Sequence, residues 1–209
     1  MIKEIDGVLN KEEFYTKLQV KVQDISKDFS LAIINIDNFE TVNIYYGENT
    51  GDKVIIKVAS VLKENLGRND LIGRYHKDEF YILYDNTNLE TAFILVEETR
   101  EFFDKNTFKI GDKDKEIPLK ISAGIANFPR NSKNIFDLFA SAEKALLRAK
   151  KEGKNKVCLA NNENMILKSS YYTKEQLEDL LNLSQRTHKT EASLLREALE
   201  DLFKKYNEI

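Results

Sequence analysis

Residues 30–36, SLAIINI, run apolar and β-branched for the length of one strand and end in the polar pair Asp37 and Asn38, which predicts a buried central strand. Helical spacing governs the segments on either side. Phe14, Leu18 and Val22 recur four apart within residues 10–25, and Val54, Ile55, Val58 and Leu62 line one face of residues 51–65. Residues 71–75 and 80–84 read as the arms of a hairpin around His76, Lys77, Asp78 and Glu79. A helix is predicted over 90–104, a buried strand over 119–126 between Pro118 and Pro129, and a strong helix over 135–152, stopped by Gly153 in a C-cap position. A short strand over 156–160 follows. Helices packed on one mainly antiparallel sheet fit this order, an α+β architecture. The polar run NNEN at 161–164 breaks the pattern. It predicts one domain over 1–160, a linker over 161–166 and a small module over 167–209.

Composition narrows the possibilities. With 209 residues, 42% hydrophobic and 32% charged, the chain can bury one good core and carry a small appendage. The net charge of −3 gives no overall attraction to nucleic acid, so a DNA-binding reading rests on local charge and geometry. A single cysteine, Cys158, excludes an internal disulfide framework. No charged-then-apolar leader opens the sequence, and no apolar run approaches the roughly 18 residues of a membrane span. A cytoplasmic chain with no membrane partner is the expectation.

Five motifs stand in register from residue 6 to residue 160: GVLNKEEF (7–14), IINIDNFETVNIYYGENTGD (33–52), RYHKDEF (74–80), SAGIA (122–126) and KALLRAKKEGKNKV (144–157). Together they resemble the GGDEF family, nucleotidyl cyclases that join two GTP molecules into cyclic di-GMP. The resemblance implies a palm-like sheet related to the ferredoxin arrangement, with Mg2+ and GTP at the site. It places Asn35 at the first metal carboxylate and His76 and Lys77 at the two signature glycines. Asp78 falls at the second metal carboxylate, followed by Glu79. Asn43 and Asp52 match the guanine-reading pair, and Lys150 and Lys154 match the basic residues that reach the phosphates.

Magnesium requires hard, preferably anionic oxygen ligands, so an amide at position 35 weakens the metal site and leaves Asp78 as a weak ligand. Glycines in such a hairpin supply φ > 0 and admit phosphates to the backbone, space that His76 and Lys77 would fill. An amide with a carboxylate, by contrast, can satisfy guanine's donor and acceptor edge. Plainer roles exist for each: a turn residue at Asn43, a helix N-terminal charge at Asp52, helix-end cations at Lys150 and Lys154, a solvated turn at His76. The family's product-binding motif, Arg-x-x-Asp, has Asp70 in place but Gly67 at the Arg position, with Arg68 one step out of register.

Residues 168–206 resemble a ribbon-helix-helix domain without a gap. Thr173 and Gln176 read as a capping box before Leu177, Leu180 and Leu181; Thr190 and Ser193 open a second helix striped by Leu194, Leu195, Ala198, Leu199 and Leu202. About 45 residues cannot bury a core alone, so the resemblance implies an intertwined homodimer sharing a two-stranded ribbon that lies in the DNA major groove. One ribbon register points Ser169 and Tyr171 outward; a one-residue shift exposes Lys168, Ser170 and Tyr172 instead. Lys189 and Thr190, at the second helix's N-terminus, could hold a backbone phosphate. From residue 165 onward seven Lys and Arg face eight Asp and Glu, so the module is not basic.

Three functions follow: a dimeric DNA-binding regulator whose catalytically inactive cyclase domain senses a guanine nucleotide or a partner, a working cyclase dimerised by its tail, or a purely interactive protein. The losses at 35, 76 and 77 beside an intact base-reading pair favour the first.

Overall fold

The computed structural model of the chain describes residues 4–24, 27–110, 115–132, 134–160, 170–187 and 191–207. Two compact units divide it, residues 1–164 and 165–209. In the first, α1 (Lys11–Lys21) opens on a capping box in which Asn10 and Glu13 satisfy each other's backbone N–H groups. β1 (Phe29–Ile36) follows, then α2 (Phe39–Tyr46) and α3 (Glu48–Glu64), the hairpin β2 (Leu71–His76) and β3 (Glu79–Asp85), and α4 (Leu89–Lys105). A second hairpin, β4 (Thr107–Ile110) and β5 (Lys115–Pro118), precedes β6 (Ile121–Phe128), α5 (Ile135–Lys151) and β7 (Val157–Leu159).

The main sheet runs β2-β3-β1-β6-β7, antiparallel except where β7 joins β6 in parallel. β1 is buried throughout because both of its faces are covered. Ala32, Ile34 and Ile36 face a core built with α2, α3 and α4; Phe29, Leu31 and Ile33 face a second core with α1 and α5. Gly124 of the SAGIA motif permits the second layer. A Cβ there would stand 2.1 Å from both the Ala142 carbonyl oxygen and the Leu146 nitrogen, so glycine lets the α5 backbone lie directly on β6.

Two elements differ from the expected pattern. The helix expected over 51–65 begins at Glu48, and the separate short helix α2 precedes it across Gly47, whose φ of 83° turns the chain between them. The β4–β5 hairpin was not expected, because its four-residue arms sit in a charged stretch too short to show a period. Its Phe108, Ile110 and Ile117 are nonetheless buried in the core.

In the second unit, α6 (Lys174–Thr187) starts on the expected capping box: the Thr173 N–H donates to Gln176 Oε1 (3.0 Å) and the Gln176 N–H to Thr173 Oγ1 (3.2 Å). α7 (Glu191–Asn207) buries Leu194. Leu177, Leu181, Leu199, Leu202 and Phe203 remain exposed, so the described residues of this unit leave their apolar stripes largely uncovered. Among the described residues no helix is long and apolar enough to cross a membrane.

Candidate nucleotide site

The end of β1 and the tip of the β2–β3 hairpin meet in the sheet. Asn35 lies opposite Glu79 on one side and Ser122 on the other, and the Ile36 N–H donates to the Asp78 carbonyl (3.0 Å). This register brings the Asn35 side chain, buried, to the half-buried Asp78. Its amide donates to Asp78 Oδ2 over 3.1 Å. The two positions that the resemblance assigns to a metal are thus joined to each other by a hydrogen bond.

The hairpin turns without left-handed backbone at His76 or Lys77; the non-glycine residues with positive φ among those described are Asn38, Asn86, Lys154 and Asn155. The left-handed conformations expected of glycines at 76 and 77 are therefore absent here. Arg74 secures the tip, its guanidinium donating to the carbonyls of His76 (3.2 Å) and Lys77 (2.8 Å). Burial lowers the Arg74 pKa, against the pull of the Asp52 and Asp78 carboxylates. The Glu79 carboxyl is pushed up by desolvation, opposed by Lys150 and reinforced by Asp78.

Asp37 follows β1 as a buried anchor. Its carboxylate accepts from Ser122 Oγ (2.8 and 2.9 Å) and from the Asn155 N–H (2.8 Å), which fixes the turn after α5 against β1 and β6. Lys154, in that turn at φ 64°, donates to Asn38 Oδ1 over 2.5 Å. The lysine expected to reach phosphates is thus held at the start of α2, where Glu40 adds a negative charge in the first turn.

α2 and α3 frame the other half of the site. Phe39, Asn43, Glu48, Asp52, Ile55 and Lys77 line one small cavity. Gly51 makes room for the amide of Asn43, whose Oδ1 lies 1.8 Å from where a Cβ on residue 51 would be. Asn43 and Asp52, both half-buried, therefore share a wall with the hairpin's Lys77. Sequence reasoning missed Asp37, Glu40, Glu48 and Arg74. Only Glu40, one residue into a helix near the expected phosphate site, carried a readable signal.

Asp70 closes a turn instead of presenting itself to a ligand, accepting from the Gly67 N–H (2.8 Å) and the Asp85 N–H (2.8 Å). In the second unit Tyr171 is fully exposed and Tyr172 half so. Lys168, Ser169, Lys189 and Thr190 lie outside the described residues.

A five-stranded mixed sheet with helices on both faces, whose β2–β3 hairpin closes a small cavity against α2 and α3, is a GGDEF-like α+β fold. The diguanylate cyclase GGDEF-domain family matches residues 4–156, and the chain belongs to it; a ribbon-helix-helix domain follows at 168–207. Diguanylate cyclase DgcM of Escherichia coli is 33% identical over 158 residues, covering 74% of this chain and 37% of DgcM. A diguanylate cyclase of Vibrio cholerae is 28% identical over 139 residues, covering 66% and 42%. The chain thus spans about two-fifths of the length of these curated relatives. The solved active GGEEF domain of a Vibrio cholerae diguanylate cyclase superposes with a TM-score of 0.66 at 25% identity, over 74% of this chain and 98% of that one.

GGDEF domains use Mg2+ with GTP. The residues at the positions that the resemblance assigns to that ion fit it poorly: Asn35 offers a neutral amide whose nitrogen donates to Asp78 Oδ2. Among the described residues no three His, Cys, Asp or Glu side chains gather to hold a metal.

Proposed function

We propose that the chain is a dimeric DNA-binding transcriptional regulator whose GGDEF domain makes no cyclic di-GMP and instead binds a guanine nucleotide. The domain comprises residues 1–160, followed by a linker over 161–166 and the ribbon-helix-helix module over 167–209. The observation that carries the inactive reading is the Asn35–Asp78 hydrogen bond, which puts an amide donor, in place of a second anionic ligand, against Oδ2 of the carboxylate a divalent ion would need. Lys154, engaged by Asn38 beside Glu40, further disfavours a triphosphate held for transfer.

Base recognition survives in this reading. Asn43 and Asp52 stay together in one cavity, supplying an amide and a carboxylate to guanine's edge. The exposed leucine stripes of α6 and α7 support a dimer through the second module, and the ribbon-helix-helix family supports duplex DNA as its partner. Ribbon contacts then come from Ser169 and Tyr171, or from Lys168 in the register shifted by one residue, and phosphate contacts from Lys189 and Thr190.

A working cyclase dimerised by its tail is the second reading, favoured by relatives named as diguanylate cyclases and by the retained Asp78 and Glu79. Incubation with GTP and Mg2+ or Mn2+, with product analysis beside direct nucleotide binding, separates the two. Binding without cyclic di-GMP supports the sensor. Product formation abolished by Asp78→Ala establishes the cyclase.

A further inference from the structure

We propose that Lys77, at the tip of the β2–β3 hairpin, is a specificity-determining residue that donates to O6 and N7 of a bound guanine. The inference rests on the guanine-binding reading above and names a residue that reading does not use.

The cavity's polar inventory carries the argument. The lining joins the acidic Glu48 and Asp52, the amide residue Asn43 and the basic Lys77 to the apolar Phe39 and Ile55. Guanine presents two donors, N1–H and the N2 amino group, on one edge and two acceptors, O6 and N7, around the corner. With both donors directed at the Asp52 carboxylate, and Asn43 Oδ1 turned to Gly51, the acceptors are left for the donors in the lining, among which a lysine ammonium is suited to that O6/N7 pair. Adenine inverts the pattern. Its N1 lone pair would face a carboxylate and its 6-amino group would face the ammonium, leaving charged groups unpaired.

The hairpin's backbone makes this reach reproducible. Arg74 holds the carbonyls of His76 and Lys77, so the stem of Lys77 leaves from a fixed point, and no left-handed backbone is needed to present it. A glycine at 77 would leave this position of the cavity wall without any side chain. The same substitution that removes a phosphate-admitting glycine therefore adds a donor to the base cavity.

The test is calorimetric titration of the full chain, in EDTA, with GTP, 7-deaza-GTP, guanosine and ATP, for the wild type, Lys77→Met and Lys77→Gly. GTP and guanosine should each bind about 10-fold more weakly to both variants. The wild type should lose affinity for 7-deaza-GTP, which lacks N7, and the variants should show little such loss. A deficit seen with GTP but not with guanosine would assign the ammonium to the phosphates and overturn the proposal. Tighter GTP binding by Lys77→Gly would make Lys77 a plug, overturning the proposal while the guanine cavity stands. If none of the three proteins binds guanine compounds in preference to ATP, the guanine reading itself fails and this proposal with it.

Discussion

The side-chain amide of Asn35 donates to Asp78 Oδ2 over 3.1 Å and so links the end of β1 to the tip of the β2–β3 hairpin. A carboxylate at position 35 would face Asp78 as a like charge, which only a cation could relieve. In this chain the amide proton does that work permanently.

Asn35→Asp should therefore destabilise the fold by about 1–2 kcal/mol in EDTA, through loss of the hydrogen bond and gain of repulsion. Millimolar Mg2+ or Mn2+ should recover the loss, because an ion that binds only the folded state stabilises it. Thermal melts with and without metal check this. An equal metal-dependent rise in the wild type would show that Asn35 and Asp78 already form a metal site.

Glu79 gives the site a pH signature. Burial raises its carboxyl above the ordinary glutamate value, with Lys150 pulling it down and Asp78 pushing it up. From the ordinary value to the raised one, the folded state holds more protons than the unfolded state. Stability therefore falls as pH rises through that window. Glu79→Gln removes the titration, so the variant should gain on the wild type as pH rises from about 4 toward neutrality. Lys150→Met should steepen the wild-type decline. Denaturant midpoints across that range measure both effects, and parallel curves for wild type and Glu79→Gln would remove this account.

Asp52→Ala should weaken guanine nucleotide binding by about 1.5–3 kcal/mol, the range of a hydrogen bond to a charged group. It should exceed the effect of Lys77→Ala, since the carboxylate meets the base's two donors whereas the ammonium rides on a flexible stem. Competition with ATP provides the control. Equal weak binding of GTP and ATP by the wild type would mean that neither residue reads a base.

How much of this was legible depends on the kind of signal. β1, α1 and α5 declared themselves through uninterrupted or evenly spaced apolar residues, and the Thr173–Gln176 box through two residue types at fixed spacing. The β4–β5 hairpin did not, because Phe108 and Ile117 sit in a segment crowded with Lys and Asp. At the site, residue identity marked Asn35, His76 and Lys77 as departures, but identity does not say where a side chain goes. The hydrogen bond from Asn35 depends on the β1–β3 register, and Lys77's place beside Asn43 depends on α2 and α3 being two helices bent at Gly47. Asp37 looked like the polar end of a strand; only the return of the chain at Asn155 makes it an anchor.

Dimerisation should depend on the second module, since Leu181, Leu199 and Leu202 are left exposed within it. Leu199→Asp should convert the full chain to a monomer in light scattering and make its melting independent of protein concentration. A chain ending near residue 160 should also be monomeric. If the shortened chain stays dimeric, the contact belongs to the GGDEF domain.

DNA binding by the module should be salt-sensitive and modest per dimer, because seven basic residues stand against eight acidic ones from residue 165 onward and phosphate neutralisation supplies most non-specific affinity. Useful affinity then requires paired dimers on repeated or palindromic half-sites. Tyr171 is fully exposed just before α6, where it is free to meet a base edge, so Tyr171→Ala should flatten sequence preference with a smaller effect on total binding. Lys189→Ala should instead weaken binding to all duplexes alike and reduce the salt slope by about one. Selection from random duplexes at low salt measures the preference, and titration against salt measures the slope. Enrichment of no sequence, with dimerisation intact, would make the second module a clamp for two GGDEF domains.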